Sequence, residues 1–225
     1  MFDLLKRENK IFEVLQEFAN GNLRFVIVGG YAVSAYKHRF SIDADIIIKE
    51  EDKEKFENIL EKKKFEKSLN KKLEHVYASE FLRYQTKEKP QVSIDILING
   101  IGSRTTNASF SMEKMEKYSK KRKIIGTEKD VTLTVPDKDI LIALKIHSGR
   151  LTDFRDIAAL CNNINLELIK EFTKAGNKKI LRKNIKTLLS LLEKKEFIDS
   201  FKGVFQEKKY DIDINEVKKL KKLLE

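Results

Sequence analysis

The sequence predicts an α+β fold, and three observations carry that prediction. Strand-like segments crowd into residues 23–135, whereas helix-like ones fill 137–225. Val92 to Ile98 (VSIDILI) alternates apolar and polar residues, the period of a strand with one covered face. From Leu166 to Glu225 the chain is lysine-rich with helical apolar spacing. Strands followed by helices, rather than strands alternating with helices, point to an α+β domain and then a helical one. The boundary falls near Pro136, giving residues 1–136 and 137–225.

The bulk composition limits the classes open to the chain. At 225 residues with 41% hydrophobic content it has ample material for a buried core. No run approaches the roughly 20 apolar residues of a membrane span, and the opening MFDLLKRENKIFEVL is a charged amphipathic helix rather than an export signal. A cytoplasmic protein with no membrane partner is therefore expected. The single cysteine, Cys161, excludes an internal disulfide framework and a cysteine-based zinc site, and reads as a small core residue. Net charge is +11, from 46 basic and 35 acidic residues, which favours a polyanionic partner such as nucleic acid or a nucleotide. Lysine–glutamate enrichment is equally a mark of thermostable proteins.

Taken in order, Asp3 to Asn20 places Leu4, Leu5, Ile11, Phe12, Leu15 and Phe18 on one helical face, and Gly21-Asn22 stops it. Leu23 to Val28 is a short apolar strand, Tyr31 to Tyr36 a short helix behind Gly29-Gly30, and Ile42 to Ile48 a second strand. Glu51 to Lys64 is a charged surface helix. Strands are expected at Lys72 to Ala78, Phe81 to Gln85 and Val92 to Ile98, with a turn at Glu88-Lys89-Pro90. Gly100 to Lys129 reads as loop with short elements. Val131 to Val135 is a strand closed by Pro136; Asp137 caps a helix to Gly149, and another runs from Thr152 to Cys161.

The chemistry concentrates in Arg24 to Lys49. Side chains alternate faces along a strand, so Asp43 and Asp45 share one face while Ile42, Ala44, Ile46 and Ile48 take the other. Asp95 stands in the same relation to Ile94, Ile96 and Ile98. If the isoleucine faces cover one helix layer, three carboxylates converge, and their mutual repulsion calls for a cation. Oxygen-only ligands suit Mg²⁺ or Mn²⁺, which also bridge substrate phosphates. Solvent-facing acids on a one-sided sheet are the bland alternative. Gly29-Gly30 lies between strand and helix, where backbone N–H groups favour phosphate. Twelve residues separate Gly30 from Asp43. Ser41 either touches phosphate or braces the turn, and Arg39 reads as a brace.

A second cluster follows Pro136. Lys145 is the only charge in ILIALKI, so it must snorkel, pair with Asp153 or Asp156, or face a ligand. Pairing and ligand contact are compatible. Asp153 and Asp156 share a helix face, with Asp156 the more deeply embedded among Ile157, Ala158 and Leu160. His38, His75 and His147 share no ligand spacing. The run Lys117 to Lys123 (KYSKKRK) is either a solvated face or a contact to a nucleic-acid backbone.

The stretch GGYAVSAYKHRFSIDADI resembles the signature of the nucleotidyltransferase superfamily related to DNA polymerase beta, with Asp95 in SIDIL matching its third carboxylate. Within it the chain is most similar to the AbiEii-type toxin nucleotidyltransferases, whose later Lys and Arg…Asp-x-x-Asp segment is matched by Lys145, Arg150, Asp153 and Asp156 in KIHSGRLTDFRDIAAL. Gly30 replaces a serine found in many relatives, and Thr152 stands where a lysine is frequent. The resemblance covers about residues 24–160. It implies a nucleotidyltransferase-type mixed β-sheet with flanking helices (1–136) and a helical domain contributing to the active-site cleft (137–225).

By this resemblance the activity is metal-dependent transfer of an NMP from an NTP to an acceptor hydroxyl, with release of pyrophosphate. Catalysis falls to Asp43, Asp45, Asp95, Lys145 and Asp156. Nucleotide binding falls to Gly29, Gly30, Ser41, Lys145, Arg150 and Asp153, and metal binding (Mg²⁺ or Mn²⁺) to Asp43, Asp45 and Asp95. The implied partners are an RNA acceptor such as a tRNA 3′ end and an antitoxin protein. A protein side chain or a small molecule such as an antibiotic is the rival acceptor. A nucleotide- or RNA-binding module without turnover is the rival class.

Overall fold

A computed structural model describes residues 2–205 and 212–225. The chain forms two compact units, one of residues 1–102 and 110–136 and the other of residues 103–109 and 137–225. In the first unit, helix α1 (Phe2–Asn20) leads into β1 (Phe25–Val28), α2 (Gly29–Ser34), β2 (Asp43–Ile48) and α3 (Lys53–Lys62). There follow β3 (Phe65–Lys72), β4 (Glu80–Thr86), β5 (Ser93–Ile98), β6 (Gly100–Gly102), β7 (Ser109–Ser111), α4 (Met112–Lys117), β8 (Ser119–Ile125) and β9 (Asp130–Pro136).

Five strands form a mixed sheet in the order β1-β2-β5-β4-β3. Only the central β2–β5 pair is parallel; the other three pairs are antiparallel. The register aligns Phe25 with Ile48, Ile48 with Ile98, Ile27 with Ile46 and Ile46 with Ile96. One sheet face is therefore a continuous apolar surface, on which Ala44, Ile46, Ile48, Ile94, Ile96 and Ile98 are wholly buried. Phe18 of α1 and Phe56 of α3 close it, meeting Phe25 and each other edge to face at centroid distances of 4.8–5.9 Å. Burying each such ring or branched side chain is worth about 1.5–3 kcal/mol.

Several expected elements shift. The short helix starts at Gly29, so the glycine pair forms its first turn rather than a loop ahead of it. The strand expected at Lys72 to Ala78 lies instead at Phe65–Lys72, an edge strand on which only Phe65 is buried, so no apolar alternation marked it. KYSKKRK is not loop: its last five residues enter β8, paired with β9, and Lys120, Lys121 and Lys123 are exposed.

The second unit is helical: α5 (Lys138–Ser148), α6 (Leu151–Leu160), α7 (Leu166–Thr173), α8 (Lys178–Leu191), α9 (Lys195–Asp199) and α10 (Ile214–Lys218). Asp137 caps α5 by accepting the Asp139 N–H. Gly149, at φ +68°, ends it in the left-handed conformation that L-residues avoid, which lets α6 fold back against α5. Residues 103–109 join this unit through His147. Its Nε2 lies 3.1 Å from the Phe172 carbonyl and its Nδ1 2.7 Å from Thr106 Oγ1. No helix among the described residues is long and apolar enough to cross a membrane.

Candidate active site

The sheet face opposite the isoleucines carries the acids. Register places Val28, Asp45, Asp95 and Arg83 in one row across β1, β2, β5 and β4, with Asp43 one pleat away on β2. Asp45 and Asp95 are thus direct neighbours on parallel strands and face the same side. Asp95 is buried, and its two oxygens accept from Arg83 Nε at 2.7 Å and Arg83 Nη2 at 2.6 Å. Burial raises the Asp95 pKa above the ordinary carboxylate value; Arg83 pulls it back, and the charge on Asp43 pushes it further up. The Arg83 charge is stabilised by Asp95 first, against burial, and then by Asp43 and Asp45.

Gly29 follows Val28 directly, which brings its backbone against Asp45. A Cβ at Gly29 would lie 1.9 Å from Asp45 Oδ2, and its φ of +68° is itself unfavourable for an L-residue. At Gly30 a Cβ would lie 2.3 Å from Ser41 Oγ. The glycine pair is bare because two polar side chains occupy the space. Ser41 Oγ donates to Asp43 Oδ1 at 3.4 Å, and the Ser41 carbonyl accepts from the buried Tyr31 hydroxyl at 2.9 Å. Arg39 braces the turn, its carbonyl accepting from Ser34 Oγ and its Nε donating to the Phe40 carbonyl.

Whether these groups suit a divalent cation depends on the chemistry of the donor set. Asp43 and Asp45 are half-buried and present an all-oxygen donor set, the chemistry that Mg²⁺ or Mn²⁺ takes. The Asp95 oxygens are both engaged by Arg83, and among the described residues no three His, Cys, Asp or Glu side chains are gathered to hold a metal. The arrangement fits a cation on the Asp43–Asp45 side, with Arg83 supplying the positive charge beside Asp95.

In the second unit, Lys145, Arg150, Asp153 and Asp156 come together at the turn between α5 and α6. Lys145 Nζ lies 3.0 Å from Asp153 Oδ1 and 2.8 Å from Asp156 Oδ2, with both acids fully buried. Arg150 Nε donates to Asp153 Oδ2 at 2.8 Å, and the Arg150 backbone N–H to the same oxygen at 3.1 Å. Burial works to raise the Asp153 pKa, yet Lys145 and Arg150 outweigh it and hold it at about 2. Burial likewise opposes the Lys145 charge, and Asp156 with Asp153 overcomes it, so its pKa stands above the ordinary value. The lysine among apolar neighbours is therefore paired with both candidate acids.

The sequence-predicted residues thus fall into two groups: Gly29, Gly30, Ser41, Asp43, Asp45 and Asp95 on the sheet, and Lys145, Arg150, Asp153 and Asp156 on the helical hairpin. Arg83 is the polar neighbour that sequence reading passed over. Alternation in EFLRYQT sets Arg83 on the face opposite Leu82 and Tyr84, and the pairing of β4 with β5 is what brings it beside Asp95.

No curated protein sequence matches the chain. Among solved structures it is similar to the antibiotic-resistance factor ANT(2″)-Ia, with 14% identity and a TM-score of 0.50 over 74% of this chain and 88% of that one. It also resembles JHP933 from Helicobacter pylori (16% identity, TM-score 0.48, 83% and 77% covered). A third similar structure is the lincosamide antibiotic adenylyltransferase LnuA with lincomycin bound (18%, 0.45, 68% and 95%). The likeness to ANT(2″)-Ia is one of fold. The family model "Nucleotidyl transferase AbiEii toxin, Type IV TA system" matches residues 13–220, and the chain belongs to this family of nucleotidyltransferases.

Proposed function

We propose that this nucleotidyltransferase moves an NMP from an NTP to the 3′-terminal hydroxyl of an RNA, with a divalent cation held by Asp43 and Asp45. The observation that carries the reading is the row Asp45–Asp95–Arg83 beside Gly29, with Asp43 one pleat away. When bound, Mg²⁺ or Mn²⁺ would offset the triphosphate charge and polarise its phosphorus centre. Gly29 and Gly30 keep the backbone bare, so that Asp45 and Ser41 lie against it where the triphosphate would be received. Asp95, oriented by the Arg83 fork, takes the proton of the acceptor hydroxyl as that oxygen bonds to the α-phosphorus. The bond from the α-phosphorus to the bridging oxygen breaks, and pyrophosphate leaves. On the family's second motif, Lys145 neutralises phosphate charge, Asp153 and Asp156 hold its ammonium in place, and Arg150 assists. Membership in a toxin family supports an antitoxin partner, and the net charge of +11 supports an RNA acceptor.

The test is transfer of label from each of the four NTPs, with Mg²⁺ or Mn²⁺, into pools of RNA, protein and small-molecule acceptors. Label in RNA alone is the expected result, lost with Asp43→Asn, Asp45→Asn or Asp95→Asn. Label only in protein or in an antibiotic overturns the acceptor. Label in no pool, with the protein folded, overturns the reaction.

A further inference from the structure

Between Glu171 and Glu193 the chain carries six basic residues, Lys174, Lys178, Lys179, Arg182, Lys183 and Lys186, and no acidic one. Helix α8 holds five of them. Its inner face is spent on folding: Leu181, Ile185 and Leu188 are buried, and Asn184 Nδ2 donates to the Ile146 carbonyl at 2.8 Å. The outer face is exposed at every basic position, and with Thr187, Ser190 and Lys194 it borders an open concavity of about 810 Å³. Among the described residues, Lys179, Arg182, Lys183 and Lys186 form no ion pair. Like charges three and four residues apart destabilise a helix, so the stripe runs against stability unless something anionic covers it. Lys178 registers that crowding, since burial and then Lys174 and Arg182 lower its pKa.

The chemistry of the stripe selects among anionic partners. A protein interface is centred on aromatic and apolar anchors and is depleted of lysine, whereas this outer face offers cations and hydroxyls, with Leu191 its one apolar lining residue and no aromatic. A membrane-surface helix sinks its apolar face into lipid, and the apolar face of α8 already belongs to the core of its unit. Cations at the helical repeat, with Thr187 and Ser190 between them to donate to phosphate oxygens, match a nucleic-acid backbone.

We propose that the outer face of α8 is the track along which the RNA acceptor lies, with Lys179, Arg182, Lys183 and Lys186 contacting its phosphates. The proposal rests on the RNA-acceptor reading above and adds where that acceptor binds. Full-length protein is titrated with a fluorescein-labelled RNA stem-loop bearing a single-stranded 3′ end, and anisotropy is followed across a salt series. The variant Lys179→Gln/Arg182→Gln/Lys183→Gln/Lys186→Gln is expected to bind at least about tenfold more weakly, with a log K against log salt slope shallower by about three. Its affinity for NTP stays unaltered, which separates lost RNA contact from lost fold. If the variant does not fold, acetylation footprinting of the parent decides: bound RNA is expected to protect Lys179, Lys183 and Lys186. Unchanged affinity and slope, or an absence of protection, overturns the track while the acceptor reading stands if the parent still labels RNA. Binding of polyglutamate or of phosphatidylserine vesicles in place of RNA, lost in the variant, overturns RNA as the occupant. Label transferred to another acceptor class removes the acceptor reading, and the track with it.

Discussion

At Gly29 a φ of +68° and the nearness of the Asp45 carboxylate impose the same demand, since a Cβ there would be strained and would lie 1.9 Å from Asp45 Oδ2. Gly29→Ala should therefore lower stability by about 2 kcal/mol, read by urea unfolding, and should displace Asp45 enough to abolish transfer. Arg83 offers a sharper separation of roles. Its fork holds a buried carboxylate, but its own side chain is 35% exposed, so solvent screens part of the pair. Arg83→Met is expected to cost about 1–3 kcal/mol, below the value for a fully buried pair. If Arg83 orients Asp95 as base, the same variant lowers kcat while NTP affinity holds, and Arg83→Lys, lacking the planar fork, does not restore it. Equal losses in kcat and in NTP affinity would count against that role. The carboxylates were legible because strand alternation fixes their face. Arg83 was not, because its meaning depends on which strand lies beside β5, and pairing order is not written in local sequence.

The α5–α6 hairpin shows the same division at the scale of an element. ILIALKI and LTDFRDIAAL declared two helices with a lysine and two acids to be reconciled, and they meet because Gly149 reverses the chain between them. Replacing Lys145 by Met would remove the cation shared by two buried carboxylates and leave Asp153 with Arg150, and a loss of about 3–5 kcal/mol is expected in chemical denaturation. Combining Lys145→Met with Asp156→Asn should cost less than the sum of the two, because the second change removes one of the stranded charges. The pH dependence has a definite sign. Asp153 has a folded pKa of about 2, below the ordinary 3.8, so its contribution is fully present above about 3.8 and disappears as pH falls toward 2. By linkage this amounts to about 2 kcal/mol, and acid unfolding of Asp153→Asn should lack that part of the slope. Elements without a buried stripe were the ones misread. β3 buries only Phe65, and β8 alternates lysines with little apolar content, so neither had the periodicity by which strands are recognised.

For the whole molecule, the division into two units is legible in the sequence except for one short segment. The change from strands to helices at Pro136 is plain in the sequence, yet residues 103–109 leave the strand-rich stretch to join the helical unit, and nothing in SRTTNAS announces it. Hydrogen bonds explain the attachment, among them Ser103 Oγ to the His147 carbonyl at 3.0 Å and Thr105 Oγ1 to the Ser148 carbonyl at 3.3 Å. The Asn177 N–H donates to the Thr106 carbonyl at 2.7 Å, and Thr106 Oγ1 meets His147 Nδ1 at 2.7 Å. Because the Phe172 carbonyl can only accept, His147 Nε2 carries the proton, and Nδ1 then accepts from the threonine hydroxyl. His147 is thereby fixed as a neutral imidazole, and burial lowers its pKa further than the Phe172 carbonyl raises it. A lowered folded pKa places the stabilising contribution above the unfolded value of about 6.5 and removes it as pH falls. Thr106→Val leaves a buried acceptor without its donor. It should cost about 1–2 kcal/mol at neutral pH. The hydroxyl favours the neutral ring, so its removal lets the His147 pKa rise toward the unfolded value. The valine variant should therefore lose less stability than the parent between about pH 7 and pH 5. Unfolding curves at the two pH values measure both effects, and parallel losses in parent and variant would show that the threonine is not what holds the histidine neutral.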